Sequence, residues 1–236
     1  MGDHPLSLTC PAFIGALAPG FCRAVDDYCQ LTGPGWDAGT LNSWANGAFL
    51  IAAFAGWRML SVSPNAKAHR TIRALTLLAA MAGVGGYLFH TSDAPWAKWG
   101  ETVPILAFML LYVWLLLRRF FHWNFLIAIP VLALYAAAVY WLETRAPGSA
   151  PFGRAMNLPT LVLFLLAAIG FLMRLREAFW PMLWALAVLL ASSAASTADA
   201  QICPQLGLGT HVLWHLLDAL LLYLLLRLAV LHAPKR

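Results

Sequence analysis

Long apolar segments alternate with short polar ones along almost the whole chain. After a polar stretch at residues 1–40, seven apolar segments follow, each close to the twenty residues that a helix needs to cross the hydrocarbon core of a bilayer. These predicted spans are residues 41–60, 72–90, 101–117, 123–141, 157–173, 179–196 and 210–231. The pattern predicts an all-α membrane protein in which a seven-helix transmembrane bundle at 41–232 lies between an N-terminal segment, 1–40, and a tail, 233–236.

Composition agrees with this pattern and excludes a soluble protein. Hydrophobic residues make up 61% of the chain and charged residues only 11%, whereas soluble domains carry about 25% charged residues. The net charge of +5 is typical of some nucleic-acid-binding proteins, but here the basic residues lie in short loops between spans, where they act as topology signals. We therefore expect one domain that is integral to the membrane and has no nucleic-acid partner.

Basic residues are concentrated on one side of the predicted bundle. The loops after spans one, three and five, with the C-terminal ends, contain Arg58, Lys67, Arg70, Arg73, Arg118, Arg119, Arg174, Arg176, Arg227, Lys235 and Arg236. The other side has only Arg23, Lys98, Arg145 and Arg154. The positive-inside rule places the N-terminus outside and the C-terminus in the cytoplasm, in a bacterial inner membrane or an equivalent one.

Three histidines are predicted to lie at one depth near the outer boundary of the membrane. His90 ends span two, and His211 and His215 begin span seven, one helical turn apart on the same face. A single histidine at a span end usually reaches the headgroups, but three at one level favour a shared site, because polar groups in spans are costly. Other polar residues expected at this level are Asn42, Asn46, Glu101 and Asn157.

Three histidines are a suitable ligand set for a catalytic zinc ion. Three neutral imidazoles leave one tetrahedral position open for water, and zinc lowers the pKa of that water to about 7. Glu101 is the expected catalytic carboxylate, which would accept the proton of the water and return it to the leaving group. Asp218, one turn deeper than His215, and Asn157 are expected to support the ligands from behind.

Four cysteines fall on the predicted outer side. Three of them, Cys10, Cys22 and Cys29, lie in the N-terminal segment, and Cys203 lies in the loop before span seven. Thiols confined to a non-cytoplasmic face indicate disulfides in an oxidising compartment. We expect two bridges, and the spacing leaves all three pairings open.

Short motifs in this sequence resemble those of the alkaline ceramidases, which are seven-span membrane hydrolases of a superfamily that includes the adiponectin receptors. The motifs are FH at 89–90, ETVP at 101–104 and HxxWH at 211–215. The resemblance implies that His90, His211 and His215 bind zinc and that metal-bound water attacks the amide of a ceramide-like membrane lipid. Glu101 stands where the family has an aspartate.

The same resemblance implies a pairing for the cysteines. The family links its N-terminal segment to the loop before span seven by a disulfide, and the motifs DDYC at 26–29 and DAQIC at 199–203 match those two places. A Cys29–Cys203 bridge is therefore implied, which would leave Cys10 and Cys22 as the second pair.

The chain departs from the family at two further places. The family has a serine four residues before the first histidine, near the scissile carbonyl, where this chain has Gly86. The family also binds calcium through N-terminal acids. Of these acids, Asp27 matches and Asp37 is a substitute, whereas Gln30 and Gly39 replace the others. Zinc is therefore the expected cofactor, and the case for calcium is weak.

Other functions fit the same residues. The protein could hydrolyse a different lipid amide or ester, or it could be a non-catalytic seven-helix protein that binds a lipid or metal as a receptor does. Haem bound between His90 and His215 is a third reading. A proton-coupled transporter is the least favoured, because spans three to six have no ionisable residues in their middles.

Overall fold

The computed structural model describes residues 38–63, 69–92, 95–145, 153–206 and 209–233, and every regular element in these ranges is a helix. The helices are α1 (Ala38–Ala45), α2 (Gly47–Ser61), α3 (His69–Ser92), α4 (Pro95–Leu115), α5 (Phe125–Arg145), α6 (Gly153–Arg174), α7 (Arg176–Leu206) and α8 (His211–His232). Helix α4 continues into a π-helical turn, Leu116–Phe120. The all-α prediction is confirmed.

Six of these helices are long and apolar enough to cross a membrane. They are Arg70–Ser92, Trp96–Phe120, Phe125–Leu142, Asn157–Arg174, Arg176–Asp199 and His211–His232. Each corresponds to one of the predicted spans two to seven. Large apolar side chains on their outer faces are exposed, as Leu126 (84%) illustrates, and such a surface is stable only against lipid or another apolar partner. The protein is therefore a multi-pass membrane protein.

The first predicted span, 41–60, is divided into two short helices at Asn46. The backbone angles of Asn46 stay helical (φ −63°, ψ −19°), and its carbonyl accepts a hydrogen bond from the Phe49 amide at 3.1 Å. An acceptor three residues before its donor marks a tightened, 3₁₀-like turn. Neither α1 nor α2 reaches the length of a span by itself, so span one, and with it the total of seven spans, remains a prediction.

The first and last parts of the described chain are neighbours in the bundle. Helix α8 packs against α2, α3 and α7, while α1 rests on α3 and α8. The main contacts of α5 are with α4 and α6, so it lies at the edge of the bundle. The core is filled by large apolar side chains such as Phe108, Phe164 and Leu225. This arrangement brings the ends of α3 and α8 together, although they are far apart in sequence.

Glycines bring α3 and α4 unusually close together. A Cβ atom on Gly85 would overlap the backbone carbonyl of Gly100. Small residues that allow two backbones to touch are a common basis of helix association in membranes. The hydrophobic effect does not drive helices together in lipid, so close packing has to do so. This contact fixes the start of α4 against the end of α3, beside the histidines.

Several predictions concern residues that lie outside the described ranges. The calcium candidates Asp27 and Asp37 are among them, as are Cys10, Cys22 and Cys29. The backbone of Cys203 belongs to α7, but its side chain is not described. Calcium binding and both disulfides therefore remain predictions.

Candidate metal centre

The three predicted ligands meet in space. The Nε2 atoms of His90 and His215 are 2.9 Å apart. The ring of His211 is centred 5.1 Å from that of His90 and 4.5 Å from that of His215. One ring nitrogen from each residue lies within 4.8 Å of the other two. The predicted convergence of two distant segments is confirmed.

This histidine cluster is buried rather than facing headgroups. The exposed fractions are 4% for His90, 2% for His211 and 1% for His215. The Trp214 indole covers two of the rings, with centroid distances of 4.8 Å to His211 and 4.9 Å to His215. The Phe49 ring approaches His215 edge-on. Buried polar groups need partners, and His215 finds two of them in His90 and the Glu101 carboxylate.

Two hydrogen bonds fix the start of α8, where His211 is the first residue. The amide of Thr210 donates to Asp199 Oδ1 at 2.7 Å, and the Thr210 hydroxyl donates to the Ala195 carbonyl at 2.6 Å. Asp199 thus supplies the acceptor that a helix N-terminus requires. Because Thr210 precedes His211 directly, the contact with α7 also places the first ligand.

The Glu101 carboxylate lies beside the histidines. Its Oε1 atom lies 3.4 Å from Nδ1 of His215, while Nε2 of the same ring faces His90. A carboxylate on the far nitrogen of a ligating histidine sets the tautomer and orientation of the ring. The predicted span began at Glu101, but helix α4 starts at Pro95. Glu101 therefore lies in the second turn of the helix.

Asn46 and Glu101 both lie against the bare backbone of Gly86. The Asn46 carboxamide fills the space that a Cβ atom there would need, and Glu101 Oε1 would be 3.0 Å from that atom. The Asn46 amide donates to the Asn42 carbonyl at 2.8 Å, which fixes its direction. Gly86 therefore gives room for two polar side chains beside the histidines.

Asp218 and Asn157 form a second polar layer, deeper in the bundle. Asp218 accepts a hydrogen bond from the Ser192 hydroxyl. Together with Asn157 and Thr160 it lines a cavity of about 20 Å³, enough for one water molecule. The structure thus pairs Asp218 with Ser192, and it is Glu101 that contacts a ligand candidate. Support of the histidines by Asp218 and Asn157 remains a prediction.

The geometry fits a metal ion held by three imidazoles. At zinc–nitrogen distances of 2.0–2.1 Å, tetrahedral ligands lie about 3.3 Å apart. The 2.9 Å between His90 and His215 needs to widen by only a few tenths of an ångström. Imidazole also suits copper, iron and nickel, so the donor set indicates a metal site without choosing the metal. Haem does not fit, because its plane would have to pass between two nitrogens already within hydrogen-bonding distance.

Comparison with known proteins gives no independent assignment. No protein-family model matches the chain, and no curated protein matches it. The likeness to the ceramidases therefore depends on the short motifs around the histidines and Glu101. The geometry of those residues becomes the main basis for a function.

Some residues that build the site were not predicted to do so. Gly85 and Gly100 set the helix contact, Ser192 binds Asp218, and Asp199 holds the start of α8. Adjacent glycines in an apolar span were a usable signal, because they often mark close helix contacts. The roles of Ser192 and Asp199 depend on tertiary contacts that no local pattern contains.

Proposed function

We propose that this protein is a zinc-dependent membrane hydrolase that cleaves the amide bond of a ceramide-like lipid. The observation that carries the proposal is the buried cluster of His90, His211 and His215 within lipid-embedded helices. Three protein ligands with an open fourth position are typical of catalytic zinc, whereas structural zinc has four. The short motifs shared with the alkaline ceramidases support the choice of substrate.

The residues of the chain have separate roles in this proposal. The three histidines hold the metal, and Glu101 fixes the ring of His215 through Nδ1. Bound zinc would activate water and polarise the amide carbonyl. The missing side chain at Gly86 leaves room for the Glu101 carboxylate and for the Asn46 carboxamide. The catalytic role predicted for Glu101, transfer of a proton to the leaving amine, requires the same carboxylate.

The position of the site suits a lipid substrate. The histidines lie at the end of α3 and the beginning of α8, at the level of one membrane boundary, so the amide of a lipid would be near the metal while its acyl chains stay among apolar helices. The opposite end of the bundle carries Arg70, Arg118, Arg174 and Arg227. By the positive-inside rule, the active site belongs on the extracytoplasmic side.

Metal analysis coupled to lipid hydrolysis tests the proposal. The purified protein in lipid nanodiscs is expected to contain one zinc per chain and to release fatty acid from ceramide. His211→Ala should lose zinc and turnover together. His232→Ala, at the other end of the same helix, is the matched control and should keep both. Turnover that persists in His211→Ala without zinc rejects the proposal.

A non-catalytic protein that binds metal or lipid is the second candidate. Gly86 favours this candidate. The resemblance implies a serine hydroxyl at this position, but glycine has no side chain and Asn46 fills the space. Stoichiometric zinc without hydrolysis of ceramides, N-acyl amino lipids or lysolipids would support this candidate. Hydrolysis of any of them would support the enzyme and identify its bond.

A further inference from the structure

A continuous apolar groove runs along the bundle between α5 and α6, and none of the residues that line it belongs to the histidine cluster. It consists of two adjoining cavities of about 430 and 620 Å³. Val131, Leu163 and Leu166 line both cavities, so the two form one channel along the helices. We call this channel the α5–α6 groove.

The dimensions of the groove match those of a lipid chain. Its lining extends along α6 from Leu158 to Arg174, which is about 24 Å at 1.5 Å per helical residue. The hydrocarbon core of a bilayer is about 30 Å thick. An acyl chain that lies in the groove therefore keeps the orientation and depth that it has in the membrane. Apart from Arg174, the residues that line its smaller cavity are apolar.

Arg174 gives one end of the groove a positive charge, and Arg118 lies at the neighbouring turn. Arg174 is exposed and lines the cavity beside Trp123. The Arg118 guanidinium lies 3.9 Å from the centre of the Phe125 ring and donates to the Trp123 carbonyl. Arg118 is thus held at the turn between α4 and α5, whereas Arg174 belongs to the lining of the groove itself. The residues that line this cavity include no acid.

We propose that the α5–α6 groove binds one anionic phospholipid, with an acyl chain in the groove and its phosphate on Arg174. Basic pockets between transmembrane helices on the cytoplasmic side are known to hold anionic headgroups, and an arginine fork pairs well with phosphate. The end with Arg174 is opposite to the histidine cluster and carries the charge excess that predicts the cytoplasmic side. The site is therefore separate from the proposed reaction.

Lipid competition measured by native mass spectrometry tests the headgroup. The purified full-length protein is titrated with phosphatidylglycerol and phosphatidylcholine of the same chain lengths. The wild type should prefer phosphatidylglycerol about fivefold, which is the gain in affinity expected from one basic residue near an anionic lipid. Arg174→Gln should remove that preference. Arg227→Gln, an exposed arginine at the same end on α8, is the matched control and should keep it.

A second pair of variants tests the groove itself. Leu166→Trp places an indole where both cavities meet, and it should reduce bound phosphatidylglycerol at least fivefold. Leu165→Trp, on the neighbouring face with similar exposure (50% against 59%), should bind as the wild type does. Equal binding of both lipids by the wild type overturns the proposal, as does unchanged binding in Leu166→Trp. Displacement of the lipid by inorganic phosphate alone would also overturn it, because the acyl chain would then contribute nothing.

Discussion

The side chain of Asn46 occupies the space that any side chain on Gly86 would need. Gly86→Ala should therefore push the Asn46 carboxamide away and crowd Glu101, whose Oε1 atom would be 3.0 Å from the new methyl carbon. Because Glu101 orients His215, we expect zinc affinity to fall about 10- to 100-fold, the usual effect of disturbing a partner of a metal ligand. Competition with a chromophoric chelator measures this change.

Two controls separate this effect from a general effect of alanine in these helices. Gly47→Ala adds a methyl group that meets nothing within 4 Å, and it should leave zinc affinity unchanged. The double variant Gly86→Ala with Asn46→Ala removes the collision and should recover part of the affinity. Equal loss in the single and double variants would contradict the steric explanation.

Gly85 and Gly100 face each other but should respond differently to substitution. A Cβ atom on Gly85 would overlap the backbone of Gly100, which cannot move without shifting α4. A Cβ on Gly100 would lie 3.4 Å from the Gly85 Cα atom, an ordinary contact. We expect Gly85→Ala to cost about 1–3 kcal/mol or more and Gly100→Ala to be tolerated. Thermal unfolding in detergent measures both, and equal costs would contradict the geometry.

Asp199 should matter as a hydrogen-bond acceptor at the start of α8. Asp199→Ala leaves the Thr210 amide without its acceptor, and loss of a helix cap costs about 0.5–2 kcal/mol. Zinc affinity should fall as well, because His211 follows Thr210. Asp199→Asn keeps an acceptor oxygen and should retain most of both properties. If the alanine and asparagine variants lose the same stability and zinc affinity, the hydrogen bond to the Thr210 amide is not the contribution of Asp199.

The two roles considered for Glu101 give different results in one variant. If Glu101 orients His215 through Nδ1, Glu101→Gln should lower zinc affinity about 10- to 100-fold. If it only transfers a proton, the variant should keep its zinc and lose turnover. We expect the first result. Zinc titration and ceramide turnover on the same preparation distinguish the two, and Glu101→Asp, one methylene shorter, should also bind zinc more weakly.

Much of the fold follows from hydrophobicity along the chain. Spans two to seven were predictable because each is a long apolar segment with polar ends, and the bilayer imposes a fixed length on them. The interruption at Asn46 was not predicted, because asparagine in a span has no fixed effect on helix geometry. Its effect here depends on packing of the side chain against Gly86 on another helix.

The metal candidates were predictable for a different reason. His211 and His215 share a helical face, and topology alone places His90 at the same membrane boundary. Helix rotation decides which ring nitrogens face each other. It also decides that Glu101 contacts His215 while Asp218 binds Ser192. Sequence spacing does not determine how each helix is rotated within the bundle, so these contacts could not be predicted from the sequence.

The ligands of the candidate centre come from helices that are made at different times. His90 and His215 are 125 positions apart, and α8 leaves the ribosome after all the other described helices. A nascent chain that has already inserted α1 to α7 still has only one of the three imidazoles. A metal held by all three imidazoles can be loaded only after α8 is inserted, so it would act on the completed bundle rather than as a nucleus for folding.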